Sequence, residues 1–113
     1  MNISQQQLAN SIWQVEVRGR LDQSQTPHLN DTLIKLLNEE QYHLIVNLSD
    51  VSYINSGGLR CLVSAWRKAR AQNGNLILFG LNDRICEIFT MIGFDKVFQI
   101  YPTQEEALSA MLI

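Results

Sequence analysis

The chain has 113 residues, 46% hydrophobic and 18% charged, the size and composition of one ordinary globular domain with its own core. Its formal net charge of -2 excludes the strong basic footprint of a DNA or RNA reader.

Residues 3 to 10 are a candidate extra strand. IWQVEVRG (12–19) alternates Ile12, Trp13, Val15 and Val17 against Gln14, Glu16 and Arg18, the pattern of a strand with one buried face. GRLDQSQ breaks it. Thr26 then reads as a helix cap with Pro27 at the first helical position, and Leu29, Leu33, Leu36 and Leu37 share a face up to about Glu40. HLIVNL (43–48) is nearly all apolar, as strands buried on both faces are. A helix over 57–72 comes next, with Leu59, Leu62, Val63, Trp66 and Ala69 inward and a stop near Asn73-Gly74. NLILFG (75–80) is a second buried strand. Asn82 caps a short helix with Ile85, Ile88, Phe89 and Ile92 inward, closed by Gly93. KVFQIY (96–101) reads as the last strand. Thr103 and Glu106 form a capping box for a terminal helix that turns Ala107, Leu108, Met111 and Leu112 inward. The order β-α-β-α-β-α-β-α predicts a single α/β domain over residues 1–113, with a mostly parallel sheet and about four helices.

Cys61 and Cys86 make neither a zinc pattern nor a redox C-x-x-C pair, so buried free thiols and a reducing compartment are expected. MNISQQQLAN lacks the regions of a signal peptide, and no apolar run reaches membrane-spanning length, so the expected location is the cytoplasm. Neither standard nucleotide fingerprint occurs. His28 and His43 stand isolated in sequence. Asp22 and Asp50 do not form an acidic doublet, and Gly80-Leu81-Asn82 lacks the lysine that a phospho-receiver domain needs after a late strand. No metal or cofactor is expected.

Two features remain open on the residues alone. Arg60, Arg67, Lys68 and Arg70 lie on one helix, with Arg60 and Arg67 seven apart on a shared face, either as a solvated face or as a contact face for an acidic partner. Ser56 stands between a strand end and a helix start. Serine is a preferred N-cap. The same position suits a phosphate, because the helix N-terminus offers free N–H groups and partial positive charge.

YINSGGLRCLVSAWRKAR (53–70) resembles the signature of STAS domains, the anti-sigma-factor antagonists of bacteria: an apolar residue, Asp-Ser-(Ser/Thr)-Gly-Leu, then a helix. VRGRLD (17–22) is similar to the family's early G-x-L-D turn. HLIVNLSDVSYI (43–54) and IFTMIGFDKVFQIYPTQEEAL (88–108) are similar to its central and C-terminal stretches, so the resemblance covers essentially the whole chain. It implies a four- or five-stranded mixed sheet with helices and a binding role rather than an enzymatic one. The implied partners are an anti-sigma factor that is also a serine kinase, and a metal-dependent serine phosphatase that reverses the phosphorylation. By position Ser56 matches the phosphoacceptor, Gly58 and Leu59 match the motif's Gly-Leu, and Asp22 lies in the region expected near the partner. The implied partner-binding set is Asp22, Asn55, Ser56, Gly57, Gly58, Leu59 and Arg60. The chain departs from the pattern twice. Asn55 replaces the Asp, keeping a hydrogen-bonding carbonyl without the charge, and Gly57 replaces the Ser or Thr. A monomer or weak dimer is expected, with no nucleic acid and no membrane. The alternatives are a STAS-like scaffold or transporter-associated subunit without a phospho-switch, and a small ligand-binding protein or enzyme with a site near 53–60.

Overall fold

The apolar runs at 43–48 and 75–79 form the middle of a five-stranded sheet. The computed structural model describes residues 2–9 and 11–112. Its strands are β1 (Ile3–Ala9), β2 (Ile12–Leu21), β3 (His43–Ile54), β4 (Asn75–Phe79) and β5 (Ile100–Tyr101), lying side by side in that order. β1 runs antiparallel to β2, and the other three pairings are parallel. The helices are α1 (Thr26–Asn38), α2 (Ser56–Ala71), α3 (Asp83–Met91) and α4 (Gln104–Leu112), with a single 3-10 turn at Phe94–Lys96. No helix among the described residues is long and apolar enough to cross a membrane.

Each parallel step advances in the same direction across the sheet. Crossovers of one hand therefore lay α1, α2 and α3 on one face. There Val15, Leu44, Val46 and Leu78 of the sheet join Leu33, Leu62 and Phe89 of the helices in the main core. α4 follows the last strand and makes no crossover. It packs on the opposite face, where Ile12, Ile45, Ile77 and Phe79 meet Ala107. The period of two explains the division: Leu44, Val46 and Leu48 point one way and Ile45 the other. Gln14, assigned by its alternation to an exposed face, is buried beneath the start of α4, where it accepts a 2.6 Å hydrogen bond from Gln104 Nε2.

Several expectations are corrected. β2 and β3 run on to Leu21 and Ile54, paired through two register shifts, because Val51 and Ile54 bury while Ser49, Asp50 and Ser52 face solvent and break the apolar run. KVFQIY is not one strand: it holds the end of the 3-10 turn and the two-residue β5. Phe98 turns into the core instead, with ring centroids 6.1 Å from Trp66, 6.1 Å from Phe89 and 6.0 Å from Phe94. α3 closes at Met91, which leaves Ile92 as an exposed cap before the left-handed Gly93, not an inward residue. Leu112 is likewise exposed. Both cysteines are free but only half-buried. The expected cap of α3 is present: Asn82 Oδ1 accepts from the Ile85 N–H at 2.9 Å, and its Nδ2 donates to the Val51 carbonyl at 3.0 Å.

Candidate functional site

The parallel strands β2 and β3 end together, and the helices that follow them begin side by side. Leu21 pairs with Ile54, and the Asn55 N–H donates to the Leu21 carbonyl at 3.0 Å. This last bond holds Asn55 extended, so α2 starts one residue later. Asn55, not Ser56, is therefore the N-cap. Its Oδ1 accepts from the Gly58 N–H at 2.8 Å, and its carbonyl accepts the Leu59 N–H at 3.1 Å. Ser56 becomes the first helical residue, exposed, with its hydroxyl outside every hydrogen bond among the described residues.

Thr26 is also displaced from the cap expected of it. It is the first residue of α1, behind Gln25, which offers no side-chain cap. Its hydroxyl lies 2.9 Å from the Asp22 carbonyl and 3.1 Å from Asn55 Oδ1, and it donates between the two oxygens. Thr26 thus ties the entry of α1 to the entry of α2. Asn55 performs both contacts with one neutral oxygen, the atom an aspartate would also present there. Asn55→Ala is expected to cost about 1 kcal/mol in urea denaturation, because a helix cap is lost. Asn55→Asp is expected to match or exceed the wild type by a few tenths of a kcal/mol, because it keeps the acceptor and adds negative charge at a helix N-terminus.

Asp22 folds the loop before α1. Its Oδ1 accepts from the Ser24 hydroxyl at 2.7 Å and the Ser24 N–H at 3.0 Å, while its carbonyl accepts from the N–H groups of Gln25 and Thr26. The Ser24 hydroxyl chiefly holds the carboxyl below its ordinary value. The N–H groups of Ser24 and Gln25 and the charge of Arg20 add to this, against the opposing effect of desolvation. A folded-state value below the unfolded one stabilises the fold above the unfolded pKa, and the effect is lost as pH falls through the folded value. Ser24→Ala is therefore expected to raise the Asp22 pKa in a carboxyl-carbon NMR titration. An unchanged midpoint would mean that this turn does not form.

The two glycines do different work. A Cβ on Gly58 would lie 2.8 Å from Leu21 Cδ2 and 3.1 Å from Ile54 Cγ1, so this turn of α2 rests directly on the ends of β2 and β3. A Cβ on Gly57 would lie 3.3 Å from the Thr26 methyl, a contact that small shifts relieve. Leu59 is half-buried against the main core, and Arg60 points to solvent. Gln23, Thr26, Pro27, Ser56, Gly57 and Arg60 line one shallow depression. Beside it, the Arg20 guanidinium stacks 4.4 Å above the half-exposed ring of Tyr53.

The structure thus brings the expected set together from three places: Asp22 from the loop before α1, Asn55 from the end of β3, and Ser56, Gly57 and Arg60 from the first turns of α2, with Gly58 and Leu59 underneath. Sequence reasoning missed Thr26 as their link and Tyr53 with Arg20 as the flank. The Thr-Pro pair was absorbed as a helix signal, and nothing marked Thr26 as a partner of a residue 29 positions away. Half-burial pushes the Cys61 thiol up despite the nearby Arg60. Among the described residues, no group of three His, Cys, Asp or Glu side chains could hold a metal ion.

The STAS domain family model matches residues 5–107. The anti-sigma-B factor antagonist of Bacillus subtilis is 31% identical over 105 residues, 93% of this chain and 94% of the relative. That of Listeria monocytogenes is 31% identical over 90 residues, 80% and 79% of the two chains. The crystal structure of an anti-sigma factor antagonist from Mycobacterium paratuberculosis superposes with a TM-score of 0.86 at 24% identity, covering 98% of this chain and 95% of that one.

Proposed function

The chain belongs to the STAS domain family, and on that premise we propose that it is an anti-sigma-factor antagonist switched by phosphorylation of Ser56. Unphosphorylated, it binds an anti-sigma factor that is also a serine kinase. The kinase transfers the γ-phosphoryl group of ATP to Ser56. A bond forms between Oγ and phosphorus, the bond from phosphorus to the ADP oxygen breaks, and the hydroxyl proton leaves. A serine phosphatase hydrolyses the phosphate and restores binding. The chain itself contributes a surface and an acceptor hydroxyl, with no catalytic group.

The chain matches two relatives named anti-sigma-B factor antagonists over most of their length. One observation carries the switch. The Ser56 hydroxyl is exposed at the first position of α2 and engaged in no hydrogen bond among the described residues, because Asn55 has taken over the cap. A phosphate on it adds about -1.5 to -2 charge at the surface. It sits at the positive end of the helix, which tolerates it locally while the partner meets new charge and bulk. The test is the intact mass of the protein from its native cells, with the modified peptide mapped. One phosphate on Ser56 is expected. An unmodified mass under several growth conditions would overturn the switch.

That second outcome would favour an unswitched STAS subunit of a scaffold or transporter. Asn55 gives this reading its observation, since it completes the cap while leaving no charge beside the serine hydroxyl.

A further inference from the structure

We propose that the outer ridge of α2 is a docking surface for an acidic segment of the partner protein, with carboxylates spaced to meet Arg60 and Arg67. That the partner is an anti-sigma factor rests on the function proposed above; the surface itself rests on charge and shape.

α2 carries four of the chain's nine basic residues, Arg60, Arg67, Lys68 and Arg70, and none of its eleven acidic ones. All four are exposed, and none takes part in an ion pair among the described residues, where the pair found is Arg18 with Glu16 at 3.5 Å. Charge is therefore segregated: one cationic helix on a chain that is acidic elsewhere. Exposed cations on a helix that carries no carboxylate, two of them aligned at Arg60 and Arg67, are complementary to an acidic surface.

Ser56, Arg60, Ser64 and Arg67 follow at steps of four, four and three, so they form one stripe along the helix, about 16 Å long. Pro27 and Asn30 of α1 bound a depression on one side. Val63 and Phe94 bound another on the far side. A segment lying on the ridge finds guanidinium groups about 10 Å apart and an apolar wall at Phe94. Two carboxylates seven residues apart on a helix have the same spacing. A nucleic acid would be repelled by the acidic remainder of the chain.

Ser56 stands at the end of this stripe, one turn from Arg60. A phosphate there would compete with the incoming carboxylates for the Arg60 guanidinium and repel them. The charge that attracts the partner would thus also make it sensitive to phosphorylation.

The test is an amide NMR titration with a 16-residue amphipathic helical peptide bearing glutamates at i and i+7, and with the same peptide bearing glutamines there. Shifts are expected at Arg60, Ser64, Arg67 and Phe94 with the glutamate peptide. Binding should fall about tenfold or more in the Arg60→Glu, Arg67→Glu double variant. A lysine version of the peptide should regain binding to that variant, which shows that the fold survived. Shifts elsewhere, equal binding of both peptides, equal binding by the double variant, or no shifts at millimolar peptide would each overturn the proposal. So would concentration-dependent self-association through the same arginines, which would make a second copy the occupant. Ser56→Asp in the same titration separates the two readings. If it binds the peptide like wild type while the double variant does not, the surface stands and the charge switch fails.

Discussion

Ser56→Asp is expected to weaken binding to the cognate anti-sigma factor about 10- to 100-fold while leaving the fold as stable as wild type or slightly more stable. The two halves of this expectation have different causes. Binding falls because a negative charge enters the exposed rim of the surface, one turn from Arg60, where it would repel the acidic segment proposed to dock there. Stability holds because Ser56 is the first helical residue and not the cap. Among the described residues its hydroxyl makes no hydrogen bond that the substitution could break, and a carboxylate in the first turn gains about 0.3–1 kcal/mol from the helix dipole. Ser56→Ala is the control. Were Ser56 the cap, alanine would cost about 1 kcal/mol; with Asn55 as the cap, the change should stay within about 0.5 kcal/mol. Calorimetric titration against the anti-sigma factor and urea denaturation of the three proteins read the two effects separately. Equal affinity of Ser56→Asp and wild type would remove the charge switch. A Ser56→Ala loss near 1 kcal/mol would return the cap to Ser56.

Which of Asn55 and Ser56 caps α2 was not legible in the sequence, because both residue types are strong N-caps and they are adjacent. The choice is made by the pairing of β2 with β3, which extends to Leu21 and Ile54 and holds Asn55 in an extended backbone. The same distant pairing hid the true length of β3, since Ser49, Asp50 and Ser52 interrupt its apolar pattern on the solvent side. Where one neighbour decided the matter, the sequence was sufficient. Asn82 caps α3 as expected, and the leucines at 29, 33, 36 and 37 are all buried. KVFQIY failed for a tertiary reason: Phe98 gains more from the ring cluster of Trp66, Phe89 and Phe94 than from a regular strand. At the site, Ser56 was found by the resemblance of its motif, and the shared face of Arg60 and Arg67 by their spacing of seven. The link from Thr26 to Asn55 needed the fold, because only the parallel ends of β2 and β3 bring the two helix starts together.

Those shared ends make Gly58 the position where one methyl group reaches both fold and function. Gly58→Ala is expected to destabilise the protein by about 2–3 kcal/mol, the range of overpacked cores, and to lower Tm by roughly 4 °C per kcal/mol in a domain of this size. The added Cβ meets Leu21 at 2.8 and 3.0 Å and Ile54 at 3.1 Å, and Leu21 is fully buried in the close-packed core. Relief comes from displacing the buried Leu21 and Ile54 side chains or from lifting α2 off the strand ends. The 2.8 Å bond from the Gly58 N–H to Asn55 resists that lift, so the cap is strained or lost as well. Ser56 and Arg60 ride on the same turn, and their positions shift with it. Gly57→Ala supplies the contrast. Its Cβ meets the Thr26 methyl at 3.3 Å, and replacing glycine inside a helix gains about 0.5–1 kcal/mol, so the net change should be small. Denaturation of the two variants, with the Leu21 methyl resonances as a local probe, separates the explanations. A large loss for Gly58→Ala with moved Leu21 methyls means that contact with the strand ends sets where α2 begins. Equal small effects at both glycines would mean that α2 floats on its cap alone, and then the cap variants of Asn55 should control the site instead.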